Sequence, residues 1–285
     1  MYTYNELQHD LAKLDRLVCQ CYTIGQSVMG RELYCIQIGE GPKKLMLNGA
    51  HHGLEYITAA FLMKFILSYS RHFLDARDFF GWDIDQLFQH ATLYVIPMVN
   101  PDGVDIAVNG LDITNPYHRR LISEAGIHSF SKVWQANARG VDLNHNYDAH
   151  WEMLVEQPAP TKYGGLYPED QPETKAVADF IRLIQPDMLL AFHSQGQEIY
   201  YDFNNIMGDR ARTIADLLAQ DSGYQAASPQ GTASFGGCKD WFIQEWRRPG
   251  FTIELGKGKN PLPDSELEKL YQEGGAIICR AISLC

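Results

Sequence analysis

Short apolar runs alternate along the chain with longer stretches in which apolar residues recur at helical spacing. Lys44-Leu45-Met46-Leu47-Asn48-Gly49 reads as a buried strand ending in a loop, and the stretch from Ile57 to Tyr69 reads as a helix. Thr92 to Val99 is a second buried strand, stopped by Asn100-Pro101-Asp102-Gly103. Pro172 to Leu183 has a helical pattern with proline near its start, where the missing N–H costs nothing. Met188 to Phe192 and Phe251 to Glu254 are further strands, while Gly208 to Leu218, Lys239 to Trp246 and Ser265 to Ile282 are further helices.

Buried strands separated by helices predict an α/β domain with a mostly parallel or mixed central sheet flanked by helices. The chain of 285 residues reads as one domain over 1–285, with residues 1–30 as its helical N-terminal segment. In such sheets a ligand site lies beyond the carboxyl ends of the strands. Polar residues just after strands are therefore the ones to examine.

Composition narrows the partners. The net charge of −11 argues against nucleic acid or an anionic membrane as the main partner, since both need a basic face. No run approaches the roughly 18 apolar residues of a membrane helix. The start, Met1 to Leu7, has no basic region followed by an apolar run, so a cytoplasmic location is expected. The cysteines, Cys19, Cys21, Cys35, Cys238, Cys279 and Cys285, form no Cys-x-x-Cys pair and are expected to be reduced thiols.

Three strand ends carry candidate chemistry. His51-His52-Gly53-Leu54-Glu55 follows the first strand, His193 follows Met188 to Phe192, and Glu254 closes the strand from Phe251. Catalytic zinc commonly takes two histidines and a carboxylate and keeps a position for water. The three-residue spacing of His52 and Glu55 lets one tight turn present both to one ion. His193 can complete the set from a neighbouring strand end, and Glu254 can take a proton from the activated water. His51 is the rival ligand on the same turn, one residue closer to Glu55.

Two further segments, Asn100-Pro101-Asp102-Gly103-Val104-Asp105 and Gly140-Val141-Asp142-Leu143-Asn144-His145-Asn146-Tyr147-Asp148, complete a pattern. With His52-x-x-Glu55, His193-Ser194 and Phe251-Thr252-Ile253-Glu254-Leu255, they stand in the order of the zinc carboxypeptidase family of metallopeptidases, which the chain resembles from about Gly30 onward. The resemblance implies one zinc ion held by His52, Glu55 and His193, with Glu254 as base. It makes Asn144 the residue that contacts the substrate carboxylate. Pro168 to Thr174 resembles the segment that opens a scaffold helix in that family, and its acidic residues suit a helix N-terminus.

Three departures bear on substrate. His145 stands where the family has an arginine that grips a C-terminal carboxylate with two parallel bonds, which a histidine cannot copy. The family's tyrosine near the scissile bond falls near Thr232. The arginine that polarises the carbonyl falls in Trp134 to Arg139, where both Gln135 and Arg139 are candidates. Phe192 to Tyr201 and Trp134 to Trp151 resemble segments of bacterial γ-D-glutamyl-L-diamino acid endopeptidases. That likeness implies cleavage between γ-D-glutamate and diaminopimelate in peptidoglycan stem peptides, with Asn144, His145, Arg139 and Gln195 as substrate contacts. The alternatives are an ordinary metallocarboxypeptidase, a deacylase of the aspartoacylase or desuccinylase type, and a non-catalytic binding protein on the same fold.

Overall fold

The computed structural model describes residues 1–124, 133–151, 157–228 and 235–285. Among them, eight strands form one sheet: β1 (Cys19–Gln26), β2 (Glu32–Ile38), β3 (Lys43–Gly49), β4 (Ala91–Ile96), β5 (Met188–His193), β6 (Glu198–Tyr201), β7 (Gln225–Ala227) and β8 (Gly250–Glu254). Their order across the sheet is β1-β2-β4-β3-β5-β8-β6-β7. The four central strands β4, β3, β5 and β8 run parallel, while β1, β2 and β6 make antiparallel pairs. The mixed sheet expected from the alternation of runs is present, with its parallel part at the centre.

Every residue of β5 is buried, as a strand covered on both faces requires. Its side chains alternate between two cores: Met188, Leu190 and Phe192 join one, Leu189 and Ala191 the other. The first core is closed by α2 (Ile57–Leu74) and α9 (Leu267–Leu284), the second by α6 (Pro172–Ile184) and α8 (Cys238–Trp246). The remaining helices are α1 (Tyr4–Leu11), α3 (Ile84–His90), α4 (Pro101–Asn109), α5 (Pro116–Glu124) and α7 (Asp209–Gln220). No helix among the described residues is long and apolar enough to cross a membrane. No described cysteine is in a disulfide.

The N-terminal segment differs from expectation. Only Tyr4–Leu11 of residues 1–30 is helical, and Cys19–Gln26 is the edge strand β1. An edge strand needs no clean apolar alternation, and β1 has none; its pairing with β2 carries an irregularity between Thr23 and Gly25. The Asn100-Pro101-Asp102-Gly103 stop does follow β4, and it also opens α4. The Asn100 side chain caps the helix by accepting from the Gly103 N–H at 2.8 Å, and Pro101 takes the first position.

Candidate metal centre

β3 and β5 are paired in parallel, so the turn after β3 and the last residue of β5 meet above the same end of the sheet. His52 precedes a single 3₁₀ turn over Gly53–Glu55. That tight turn brings its Nδ1 to 2.9 Å from Glu55 Oε1. His193 Nδ1 lies 3.0 Å from Glu55 Oε2 and 3.3 Å from His52 Nδ1. The Ser194 N–H also donates to Glu55 Oε2, at 3.2 Å. Glu55 and His193 are buried and His52 nearly so.

These separations can be tested against an ion. Ligand atoms about 2.0–2.1 Å from one tetrahedral zinc stand about 3.3 Å from each other. The observed 2.9, 3.0 and 3.3 Å fit one small cation. No other described group of three or more His, Cys, Asp or Glu side chains converges in this way. His51 does not join it. It is buried, its Nε2 is 3.0 Å from the Tyr147 hydroxyl, and its ring stacks 5.8 Å from that of His193.

Electrostatics reflect the crowding. Burial opposes charge on His52, but Glu55 and Asp142 outweigh it and hold the imidazole well above its ordinary value. Burial would raise Glu55, yet His52 and His193 bring it down to about 2. A proton at His52 thus occupies the place of a cation, and metal binding must displace it. His51, buried beside His193 and His52, is pushed well below the usual histidine range.

The ligand turn is fixed from outside. The Asn100 amide donates to the carbonyls of His51, Gln135 and Ala136, at 3.0, 3.0 and 3.1 Å. Gly53 permits the approach: a Cβ there would lie 2.3 Å from the Gly103 carbonyl oxygen. Asp142 stands behind His52, with Oδ1 at 3.3 Å from Nε2. A carboxylate on the far nitrogen orients a ligand histidine and raises its basicity.

Glu254 closes β8 in register with His193 on β5. Burial first, and then the charge of Glu55, push it up to about 8, against the pull of His52. Asn144 is half-buried, its Oδ1 accepting from the Cys238 N–H at 3.1 Å. His145 Nδ1 donates to the Phe235 carbonyl at 2.7 Å, which turns Nε2 toward Asp142 Oδ2 at 3.9 Å. Gln195 is exposed, and its Oε1 accepts from the Gly258 N–H at 3.1 Å. Of the two candidates in the Trp134 to Arg139 run, Gln135 meets the ligand turn, its carbonyl accepting from the Gly53 N–H at 3.0 Å. Arg139 is exposed and lines a surface cavity of about 720 Å³ with Tyr117, Tyr163 and Tyr167. The position near Thr232 lies outside the described residues.

The sequence profile of the zinc carboxypeptidase family matches residues 4–276. The chain belongs to that family. The family uses one catalytic zinc, and the chain is accordingly a zinc metallopeptidase by descent. Gamma-D-glutamyl-L-diamino acid endopeptidase 1 of Lysinibacillus sphaericus is 38% identical over 99% of this chain and 72% of its own length. Among solved structures, thrombin-activatable fibrinolysis inhibitor superposes with a TM-score of 0.79 at 21% identity, covering 99% of this chain and 72% of the other. The murein-tripeptide amidase of Escherichia coli O157 superposes with a TM-score of 0.57 at 21% identity, over 91% of each chain. These two share the fold.

Sequence reasoning passed over three family-site neighbours. Asp142 was visible only as part of a polar run, although its position two residues before Asn144 in a conspicuous motif was the available signal. Asn100 read as a turn residue rather than as the brace of the ligand turn. Glu198 lies in the Phe192 to Tyr201 segment, but only the pairing of β6 with β8 sets it opposite Glu254.

Proposed function

We propose that this chain hydrolyses the amide between γ-D-glutamate and a diamino acid in peptidoglycan stem peptides, using zinc held by His52, Glu55 and His193. The observation that carries this reading is the likeness, over 99% of the chain, to a protein named for that bond. His145 supports it. An ordinary carboxypeptidase needs a guanidinium fork after Asn144, and here an imidazole already bonded to Phe235 fills the place.

Zinc at this cluster would polarise the scissile carbonyl and acidify water. The chain's own residues do the rest. Asp142 holds His52 in the orientation that presents Nδ1. Glu254, partly exposed on the strand next to His193, accepts a proton from the attacking water and returns it to the leaving amine. Asn144 and His145, braced by Cys238 and Phe235, line the substrate side, with Gln195 on the loop after His193. Gln135, whose carbonyl braces the turn between His52 and Glu55, and Arg139, on the surface cavity, are the candidates for polarising the carbonyl.

The test is a comparison of rates on three substrate types by the zinc-loaded protein: a γ-D-glutamyl diamino acid peptide, an α-peptide with a free C-terminus, and an N-acyl amino acid. Fastest turnover of the first is expected. Preference for the second makes the protein an ordinary carboxypeptidase, and preference for the third a deacylase.

A further inference from the structure

The proposed mechanism uses one carboxylate at the end of β8, and the fold sets a second beside it. β6 runs antiparallel to β8, with Glu198 opposite Glu254 and Tyr200 opposite Thr252. Directly opposed residues of an antiparallel pair project to the same face, and alternate residues to the other. Ile199 and Ile253 are buried in the core under α2 and α9. Glu198, Tyr200, Thr252 and Glu254 therefore take the opposite face, the one to which His193 belongs, and all four are partly exposed.

Gly196 lies against both glutamates. A Cβ there would touch Glu198 Oε2 and Glu254 Cβ, each at 3.4 Å. The Tyr200 hydroxyl donates to Glu198 Oε2 at 2.5 Å and so steers that carboxylate. Among the described residues neither Glu198 nor Glu254 has an ion-pair partner. A carboxylate held beside the base with no ion-pair partner among the described residues is a cost that the hydrolytic step does not call for.

We infer that Glu198 selects the substrate by receiving a free ammonium group of the residue on the leaving side of the scissile bond. The direction follows from strand order. The ligands stand on the β3 and β5 ends, the base on β8, and Glu198 one strand further out. A base that protonates the leaving amine has the leaving residue on its far side from the metal. Adjacent strands are about 4.8 Å apart, a gap that the methylene chain of a diamino acid can cross. An apolar side chain in the same place would strand the Glu198 charge, so the carboxylate selects against such substrates as well as for diamino acids. This inference rests on the cluster and Glu254 being the catalytic centre.

The experiment compares kcat/KM for L-Ala-γ-D-Glu-L-lysine and L-Ala-γ-D-Glu-L-norleucine, which differ in the terminal amine. The wild-type protein should prefer the lysine peptide by about 10- to 100-fold, the range of a hydrogen bond to a charged group. Glu198→Gln should abolish the preference and Glu198→Asp should restore part of it, with zinc content and melting temperature reporting on folding. Equal wild-type rates on the two peptides overturn the role of Glu198 and leave the γ-glutamyl reading standing. A preference that survives in Glu198→Gln does the same. Failure of the wild-type protein to cut either peptide overturns both.

Discussion

His193 and Glu254 end adjacent parallel strands in the same register, so a nitrogen of the candidate metal cluster and a carboxylate with no ion-pair partner among the described residues share one rim of the sheet. The pairing separates two roles that mutation can address one at a time. Glu254 makes no hydrogen bond to the ligand set, whereas His193 is part of it. Glu254→Gln should therefore keep full zinc stoichiometry and lose about 10²- to 10⁴-fold in kcat, the usual contribution of a general base. Near wild-type turnover on any substrate would remove Glu254 from the base role.

His193→Ala should lose zinc outright, because two ligands from one turn remain. Asp142→Asn should keep the metal but bind it about 10- to 100-fold more weakly, as expected when the partner of a ligand histidine is removed. Chelator competition distinguishes the two. Full stoichiometry in His193→Ala contradicts the ligand set.

His145→Arg should move preference toward α-peptides with a free C-terminal carboxylate, because a guanidinium can bond two carboxylate oxygens at once. The Nδ1 bond to the Phe235 carbonyl is the constraint that the longer side chain must release. A substrate profile unchanged by the substitution means that residue 145 does not face the substrate.

Glu173 makes a pH prediction away from the metal. It opens α6 after Pro172, where an exposed acidic residue would simply favour the helix dipole, but it is fully buried. Its Oε1 accepts from the Val28 N–H at 2.9 Å and its Oε2 from the Asn137 amide at 3.2 Å. Burial, with the Asp102 charge adding to it, raises its pKa from 4.5 to about 7. The native state then holds the proton more tightly than the unfolded chain. Stability from this group is complete below about pH 4.5, falls as pH rises to about 7, and is level above that. The loss amounts to about 3 kcal/mol. Glu173→Gln should remove this part of the slope, so its stability relative to the wild type should rise between pH 4.5 and 8. Parallel denaturation curves across that range would contradict the burial argument.

The sequence made the central parallel strands legible because burial on both faces leaves no polar residue to blur them. Met188 to Phe192 is the clearest case, and the candidate ligand His193 is its next residue. His52 and Glu55 were legible through a spacing that one turn enforces. What escaped was relational. β1 is an edge strand with exposed residues scattered along it, so residues 1–30 gave no strand signal. β6 is only Glu198–Tyr201, too short to show a period, and its register with β8 alone makes Glu198 a neighbour of Glu254. Asp142 and Asn100 act on residues remote in the chain, and no local pattern encodes such contacts.

The measurement that bears most directly on the account is mass spectrometry of L-Ala-γ-D-Glu-diaminopimelate incubated with the protein, with and without zinc. L-Ala-D-Glu and free diaminopimelate are expected as the only products, formed with zinc and lost on chelation. An intact peptide in the presence of zinc, or cleavage between L-Ala and D-Glu instead, would contradict it.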